Sequence, residues 1–473
     1  MTDSLTRELL AQVLANRPTD DPAVLAAVRT LFLDHLGVTV WGARSRVAEL
    51  MTEHVLADLD RRSPKTLAII GTGHTASPTE AAMANAVAAA SYEFDDTHTP
   101  ASAHPGAVIF PAALAAAVIA GGDEHRFVAA VYAGYEVLCR VARALNPHAH
   151  RARHFHPTST AGHFGAAAAA GVCLALDLDT SVTALSLAGT VAGGSMQFLV
   201  EGAITKQLHP AYAVQRGVQG ALLARRGFPG LADPIAGTRG LLAAQSEDPR
   251  PDRLLAGLGS APAEVTLTGV KPYPSCRNTQ SAVGALRSVL ADHPVDPHHI
   301  DSITIGMIGP GLTTVWEPPN RTRRPRTLAD AQFSMPFVAA VTVLDGELGT
   351  AQFDPQRYAD PAVTALMDRV QCVGDPALDA RYPASWPAWV EIRMHDGTVL
   401  HGRAEHPRGD PTNPLSNEEI VAKFDDLTRL TYSQDRRDAL TDAVYRLPQS
   451  GALTELLALV SGDDVLTASP PRR

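Results

Sequence analysis

The sequence predicts a mostly α protein: a large all-helical domain built from both chain ends, with a smaller α+β domain inserted late in the chain. Three observations predict it. Apolar residues recur at helical spacing through residues 1–260, alternating patterns typical of strands begin near Glu264, and helical periodicity returns from Ser416. At 473 residues, the chain is long enough for two or three domains.

The first part reads as a series of helices separated by turn signals. Glycine pairs such as Gly121-Gly122 separate the periodic segments, and small side chains within several of them allow helix axes to approach closely. We predict helices over residues 22–41, 79–91, 108–120, 125–145, 159–176, 181–198 and 210–226.

The inserted part mixes strands with helices. Segments 264–268 and 300–308 alternate as strands do, and Asp396-Gly397 between residues 390–394 and 399–401 predicts a hairpin, because this pair suits a turn with positive φ. Helices are predicted near 279–291 and 330–344. The predicted domains are therefore 1–267 (helical, first part), 268–405 (α+β) and 406–473 (helical, C-terminal part).

Composition excludes several classes of protein. The chain has 40 Lys+Arg against 50 Asp+Glu, a net charge of −10, which argues against nucleic acid or a membrane surface as partner. The four cysteines show no metal-ligand spacing and no disulfide framework, so we predict no metal site. The dispersed cysteines fit a reduced, cytoplasmic setting, and the N-terminus reads as an amphipathic helix and not as a signal peptide.

Two polar segments rich in carboxylates and histidines are candidates for chemistry. The first contains three carboxylates close together, Glu93, Asp95 and Asp96, followed by His104. Their negative charges repel one another, which costs energy unless the carboxylates are solvated, paired with cations or part of a functional site. A solvated loop with Asp96 or Thr97 as a helix cap is the alternative. The second, residues 154–163, places histidines at the start of an Ala-rich helix, with Ser159 or Thr160 predicted as its cap. The helix dipole there favours neutral imidazole, although these histidines could equally be structural.

Two further segments place cations among small or proline residues. Lys206 is a candidate anchor for a substrate carboxylate, and a surface lysine is the commoner alternative. Residues 271–277 contain Lys271, Tyr273 and Cys276 at the boundary between the predicted domains, where ligand clefts often form. A linker stiffened by prolines is the alternative there.

In order and spacing these segments resemble the MmgE/PrpD family, which is named for 2-methylcitrate dehydratase and includes cis-aconitate decarboxylase and iminodisuccinate epimerase. The resemblance extends over nearly the whole chain. It is carried by Leu31-Phe32-Leu33-Asp34-His35-Leu36-Gly37, Phe94-Asp95-Asp96-Thr97-His98, His104-Pro105-Gly106, Phe155-His156-Pro157-Thr158, Gly202, Lys206, His209, Lys271-Pro272-Tyr273-Pro274-Ser275-Cys276, Ala331-Gln332-Phe333-Ser334-Met335-Pro336, Asp345-Gly346, Asn413-Pro414-Leu415 and Lys423-Phe424.

The resemblance implies that the inserted α+β domain is a lid, that the site lies between lid and helical domain, that the protein is a homodimer, and that it needs neither metal nor organic cofactor. Catalytic residues implied by it are His104, His156, Lys271, Cys276 and Asp96. Substrate-binding residues implied by it are Thr97, Lys206, Glu93 and Tyr273.

The chain departs from the family pattern at four positions. Cys276 stands where the decarboxylase branch has His, and Glu93 stands where Asp is expected. Gln280 and Phe337 replace a His and a Tyr that are frequent in members, so each removes a titratable group.

The function implied is that of a cofactor-independent lyase, a dehydratase or decarboxylase, acting on a small di- or tricarboxylate by proton transfer at a carbon next to a carboxylate. Lys206 and Lys271 would hold carboxylates, His104 or His156 would serve as base or acid, and Cys276 disfavours decarboxylation. In the same account Asp96 would orient a histidine and Thr97 would donate a hydrogen bond to the substrate. An epimerase of a substituted succinate is the first alternative, and an inactive binding protein is the second.

Overall fold

The structure, a computed structural model, describes residues 4–16, 18–57 and 65–462. The chain is mostly helical, as predicted. Before residue 270 its helices are α1 Leu5–Ala15, α2 Pro22–Gly42, α3 Arg46–Ala57, α4 Pro78–Ala90, α5 Gly106–Ala120, α6 Glu124–Ala144, α7 Pro147–Ala152, α8 Pro157–Cys173, α9 Leu178–Gly189, α10 Phe198–Glu201, α11 Leu208–Arg225 and α12 Leu241–Gln245. Two short antiparallel pairs accompany them: β1 Leu67–Ile69 with β2 His74–Ala76, and β3 Thr97–His98 with β4 Thr268–Gly269.

Three predicted elements of this part are wrong in detail. The helix predicted over 181–198 ends at Gly189, before a glycine pair whose second member, Gly194, has φ of +141°. Helix α8 begins at Pro157, so His156 takes the cap position predicted for Ser159 or Thr160, because proline favours the first helical turn. Segment 264–268 forms a 3₁₀ turn, Glu264–Leu267, where the Glu264 backbone amide donates to the carboxylate of Glu136.

The second part of the chain combines helices with a four-stranded sheet. Its elements are α13 Arg277–Asp292, β5 Ile300–Met307, α14 Gly309–Val315, α15 Pro319–Thr322, α16 Leu328–Gln332, α17 Met335–Asp345, α18 Pro355–Tyr358, α19 Pro361–Met367, β6 Val370–Gly374, α20 Pro376–Asp379, β7 Ala388–Met394 and β8 Val399–Ala404. The sheet order is β6-β5-β7-β8, with β5 and β6 parallel and the other pairs antiparallel.

The strand 300–308 and the hairpin through Asp396-Gly397 are confirmed, and Gly397 has φ of +87°. The single helix predicted over 330–344 is wrong, because Ser334 interrupts it: its side chain accepts from the backbone amide of Phe337 and so caps a new helix, α17. Three helices close the described chain: α21 Asn417–Thr428, α22 Gln434–Arg446 and α23 Ala452–Ser461.

Buried apolar residues form two main clusters. The first gathers residues from 9 to 270 together with residues 420–460, and the second gathers residues from 273 to 392. Helix α21 packs on α2, so the C-terminal helices join the first cluster. The predicted domain boundaries at 267/268 and 405/406, and the role of the second part as a lid, stay predictions.

Helix α2 is largely buried within the first cluster. By length and hydropathy it would suit a membrane span, but its most apolar stretch is 67% buried inside the protein, which is typical of a core helix. It packs closely on α4: a methyl group at Gly42 would overlap the backbone carbonyl of Ala88. The absence of a side chain at Gly42 is what lets these two helix axes approach.

Candidate active site

One narrow cavity has a volume of about 30 Å³. Residues from both parts of the chain line it, and six of the nine predicted site residues are among them. The lining comprises Glu93, Thr97, Ser102, His104, Arg151, His156, Met196, Phe198, Leu199 and Lys206 from the first part, and Cys276, Arg277, Asn278, Thr314, Phe333 and Trp386 from the second.

His104 is held as a neutral imidazole with one free nitrogen. Its Nδ1 lies 2.8 Å from the backbone carbonyl of Asp96 and 3.2 Å from Thr97 Oγ1. Because a carbonyl can only accept, Nδ1 carries the proton and Nε2 keeps its lone pair. Burial, followed by the charges of Lys271 and Lys206, lowers the pKa of His104 well below its usual value. The ring can therefore act as a general base at neutral pH.

The carboxylate of Asp96 points away from this histidine. It accepts from the backbone amide of Gly106 at 2.8 Å and from Tyr135 Oη at 2.6 Å. Burial raises the pKa of Asp96 to about 7, although both hydrogen bonds oppose the increase. Asp96 therefore orients His104 through its backbone carbonyl, while its side chain anchors the start of α5.

The two predicted lysines are paired with carboxylates. Lys206 forms an ion pair with Glu93 at the cavity wall. Lys271 is fully buried behind that wall, where its Nζ lies 3.2 Å from Asp95 Oδ1 and 3.0 Å from the backbone carbonyl of Glu93. Burial would raise the pKa of Glu93, but the two lysines together hold it below its usual value. The wall therefore contains ionised pairs.

The backbone of the cavity wall is strained at two places. Glu93 and Ser102 have φ of 53° and 52°, in the left-handed region that side chains disfavour. Each such residue costs on the order of 1–3 kcal/mol, and this kind of strain concentrates at functional sites. The strain marks residues 93–104 as a loop held in shape by its surroundings.

Cys276 stands at the cap of α13 and faces the cavity as a thiol. Burial, followed by the charge of Glu93, raises the pKa of the thiol above its usual value. Its Sγ lies 3.6 Å from Asn278 Nδ2. Gln280 lies outside the cavity, where its amide donates to the backbone carbonyls of Tyr273 and Ser275.

Tyr273 lies apart from the other predicted residues. It faces a larger, open cleft of about 1030 Å³, where Arg287 lies over its ring. Neither predicted catalytic histidine lines that cleft. The small cavity is therefore the better candidate site, because it is there that the histidines, the cations and the thiol meet.

Five polar atoms in the wall have no hydrogen-bond partner among the residues that the structure describes. Since most buried polar groups in proteins are paired, a group of unpaired ones around a cavity indicates a binding site for a ligand with several polar groups. They are Ser102 Oγ, Arg151 Nε, Arg277 Nε, Asn278 Oδ1 and Trp386 Nε1. We did not predict any of these five as site residues.

His156 contacts a second histidine. Its Nδ1 lies 3.0 Å from Nδ1 of His209, a residue that entered the sequence analysis only through the family resemblance. Burial and the neighbouring charges of His209 and Lys206 lower the pKa of His156 well below its usual value. His156 is therefore neutral where it faces the cavity.

A lysine from the C-terminal helices supports the site from beneath. Lys423 Nζ lies 2.6 Å from Asp34 Oδ1, 3.1 Å from the carbonyl of Phe94 and 2.8 Å from the carbonyl of Lys271. Its ammonium group therefore joins α2, the loop at residues 93–96 and the segment at residue 271. In the sequence, Lys423 stands out only as part of the family resemblance.

One group of metal-binding residue types lies outside the cavity. His98, Cys139 and Glu264 are buried with their ligand atoms close together. Nδ1 of His98 accepts from the backbone amide of Ala101, so Nε2 carries the proton and faces Glu264 at 2.8 Å. Arg143 also pairs with Glu264. The Glu264 carboxylate is thus engaged by His98 and Arg143, so the group fits an internal polar network better than a metal site.

Comparison with known proteins gives matches along the chain. Residues 8–254 match the MmgE/PrpD N-terminal domain, and residues 273–447 match the MmgE/PrpD C-terminal domain. The cis-aconitate decarboxylase-like protein oryM of Aspergillus oryzae is 28% identical over 97% of this chain and 98% of its own length. Cis-aconitate decarboxylase of Homo sapiens is 28% identical over 83% and 82%. The 2-methylcitrate dehydratase of Cupriavidus necator is 37% identical over 17% and 18%.

Proposed function

The chain belongs to the MmgE/PrpD family, and from that premise we propose that it is a lyase acting on a small di- or tricarboxylate by proton transfer at a carbon next to a carboxylate. One observation carries the proposal. A neutral histidine with a free Nε2 faces the same cavity as Lys206 and two unpaired arginine nitrogens. That combination suits an anionic substrate that must gain or lose a proton.

The arginines suit the substrate's carboxylates. Arg151 comes from α7 and would supply its charge to the substrate, whereas Arg277 of α13 is already ion-paired with Asp410 at 3.4 Å and would add a hydrogen bond through its unpaired Nε. Trp386 Nε1 and Ser102 Oγ would add neutral hydrogen bonds. Charge-assisted hydrogen bonds of this kind contribute about 1.5–3 kcal/mol each.

The chemistry requires stabilisation of negative charge on carbon. In decarboxylation the bond to the departing carboxylate breaks, its electron pair stays on the neighbouring carbon, and that carbon then takes a proton. In dehydration His104 would remove the carbon-bound proton, and hydroxide would leave as water with a proton from an acid such as the Cys276 thiol. In both, Lys206 would stabilise the enediolate, and such donors contribute about 3–4 kcal/mol each.

Substrate entry requires the cavity to widen, because its present volume is close to that of a single water molecule. We propose that the second part of the chain acts as a lid, since Cys276, Arg277 and Trp386 line the cavity from that side. Closure would exclude water and strengthen the ion pairs inside. The expected homodimer and cytoplasmic location belong to the same proposal.

Relatives that match along most of the chain include the cis-aconitate decarboxylase-like protein oryM and the human cis-aconitate decarboxylase, which favours decarboxylation. Cys276 disfavours decarboxylation, because the family resemblance implies His at that position in the decarboxylase branch. Proton NMR in D₂O with cis-aconitate, citrate, 2-methylcitrate and substituted succinates would distinguish decarboxylation from dehydration. Loss of CO₂ or of water from one compound is the expected result. Deuterium entering an α-carbon without breakdown would instead identify an epimerase, and no reaction with any compound would contradict the proposal.

A matched pair of variants tests the carboxylate contacts. We expect Arg151→Gln to raise KM about 10- to 100-fold with a smaller change in kcat, because it removes one charge-assisted hydrogen bond to the substrate. The control is Arg225→Gln at the exposed end of α11, which should leave both constants unchanged. Equal KM values for the two variants would exclude Arg151 from substrate binding.

A further inference from the structure

We propose that His209 is a positioning residue that acts through His156, and that the two imidazoles form a relay carrying a proton between the cavity and solvent. The inference rests on the proposed function, because a relay is needed only where a substrate gains or loses a proton. It names a residue for which neither the family match nor the cavity lining assigns a role.

The two rings bridge the inside and the outside of the site. His156 is buried and lines the cavity, whereas His209 is half-buried, stands in the first turn of α11 and does not line the cavity. Their Nδ1 atoms lie 3.0 Å apart. Within the described part of the chain neither Nε2 has another hydrogen-bond partner. One Nε2 is thus available to the cavity and the other to the outside.

The surrounding segment holds the rings in this arrangement. The ring of Phe198 meets both imidazoles edge-on, with centroids 6.0 Å from His156 and 5.7 Å from His209. The backbone amide of His156 donates to the carbonyl of Gly194 at 2.9 Å. A side chain at Gly194 would lie 2.7 Å from Cβ of Ser159 and 3.4 Å from Cε1 of His209. This close packing opposes rotation of the rings.

Two nitrogens at this distance must share a single proton, because two lone pairs would repel and two N–H groups would clash. Burial, with His209 and Lys206, lowers the pKa of His156, and burial, with Lys206 and His163, lowers the pKa of His209 to about 4. His104 and Arg151 are the other charged or titratable groups that lower the pKa of His156. Both rings are therefore neutral at pH 7.

A neutral pair has two arrangements. When His209 holds the shared proton, Nε2 of His156 carries its own proton and faces the cavity as an acid, and Nε2 of His209 is bare. When His156 holds the shared proton, its Nε2 is bare and faces the cavity as a base, and Nε2 of His209 is protonated. Transfer of the shared proton, coupled to loss of a proton at one Nε2 and gain of a proton at the other, thus exchanges acid for base at the cavity.

Solvent water replaces the proton that the histidine pair gives to the substrate. The N–H bond at His156 Nε2 breaks as its proton joins the substrate carbon that holds the electron pair left by the departing group. The shared proton moves from His209 Nδ1 to His156 Nδ1, and water protonates His209 Nε2. Once the cavity opens, His156 Nε2 takes a proton from water, the shared proton returns, and His209 Nε2 releases one. The relay is then reset.

His209→Asn provides the kinetic test, because the amide can still bond to His156 Nδ1 but cannot pass a proton through. We expect kcat to fall about 100-fold with KM nearly unchanged, and added imidazole to restore part of the rate. His298→Asn, at an exposed position, is the control and should keep the rate of the unmodified protein. A His209→Asn variant with normal kcat, or one that imidazole does not rescue, would overturn the relay.

A spectroscopic test needs no substrate and therefore separates this inference from the proposed function. ¹⁵N NMR of the unmodified protein should show one protonated and one unprotonated Nδ1 in this pair, and the shift of His156 Nδ1 should change in His209→Asn. Two unprotonated Nδ1 atoms would overturn the relay even if the protein proves to be an active lyase. If no compound reacts but the shared proton is observed, the proposed function is contradicted, whereas the proton shared by His156 and His209 is confirmed.

Discussion

Removing the hydroxyl of Tyr135 should destabilise the protein more at high pH than at low pH. The Tyr135 hydroxyl donates to the buried carboxyl of Asp96 at 2.6 Å. Burial raises the pKa of that carboxyl from its ordinary 3.8 to about 7, so the fold favours the protonated form. The stability contributed by this group is full below pH 4 and is lost as the pH rises to about 7, a difference of about 4 kcal/mol.

The magnitude for Tyr135→Phe follows from the charge of the acceptor. A hydrogen bond to a neutral acid contributes about 1 kcal/mol and one to a carboxylate about 1.5–3 kcal/mol. We therefore expect the variant to lose about 1 kcal/mol of unfolding free energy at pH 5 and about 2–3 kcal/mol at pH 8.5. Urea denaturation followed by circular dichroism at both pH values measures the difference.

Tyr432→Phe is the matched control for this experiment. Tyr432 is also buried, but its hydroxyl accepts from the backbone amide of Gly71, a group that does not titrate. Its replacement should cost the same free energy at pH 5 and pH 8.5. If Tyr135→Phe also shows equal costs at the two pH values, the Asp96 carboxyl does not ionise between them and the reasoning is refuted.

Three further substitutions test the site and its support. His104→Gln should lower kcat about 100- to 10,000-fold in the NMR assay with unchanged unfolding free energy, and a normal kcat would exclude His104 as the base. Lys423→Met should cost about 3–5 kcal/mol in urea denaturation, because it leaves Asp34 buried and unpaired, and adding Asp34→Asn should recover part of the loss. Gly42→Ala should cost about 1–3 kcal/mol or more in the same measurement, because its methyl group overlaps the carbonyl of Ala88; an unchanged protein would show that α2 and α4 can separate freely.

Helical periodicity predicted most of the helices because their buried residues repeat within a single element. The hairpin at Asp396-Gly397 was equally local, since the turn alone requires positive φ. The prediction failed at Glu264, whose conformation depends on Glu136, His98 and Arg143, all more than a hundred residues away. Tertiary contacts there override an alternating pattern.

In the candidate site, too, the residues that could be predicted are those that lie close together in the sequence. Glu93, Thr97 and His104 come from one loop, and their clustering in the sequence anticipates their clustering in space. Arg151 and Trp386 could not be predicted, because a single arginine or tryptophan carries no local signal of the cavity it faces. Their importance follows from polar atoms that the fold leaves without a hydrogen-bond partner, and such atoms can be recognised only in the three-dimensional structure.

The structure gives the charged residues of the site other partners than the sequence predicted. Lys271 was predicted to hold a substrate carboxylate, and the structure places it behind the cavity wall on Asp95 and Glu93. Asp95 was noted as one of three nearby carboxylates and as part of the family resemblance, without a role of its own. A buried lysine needs such partners, so Lys206 and Lys271 explain two of the three acids in the loop, Glu93 and Asp95.

The contact of α21 with α2 has a consequence for the biosynthesis of the chain. The ribosome releases α2 long before α21, so Asp34 and the apolar surface beside it stay uncovered until almost the whole protein has been made. The loop at residues 93–96 lacks Lys423 over the same period. We therefore expect prematurely terminated chains to bind chaperones and to lack activity, even though they contain every histidine of the cavity.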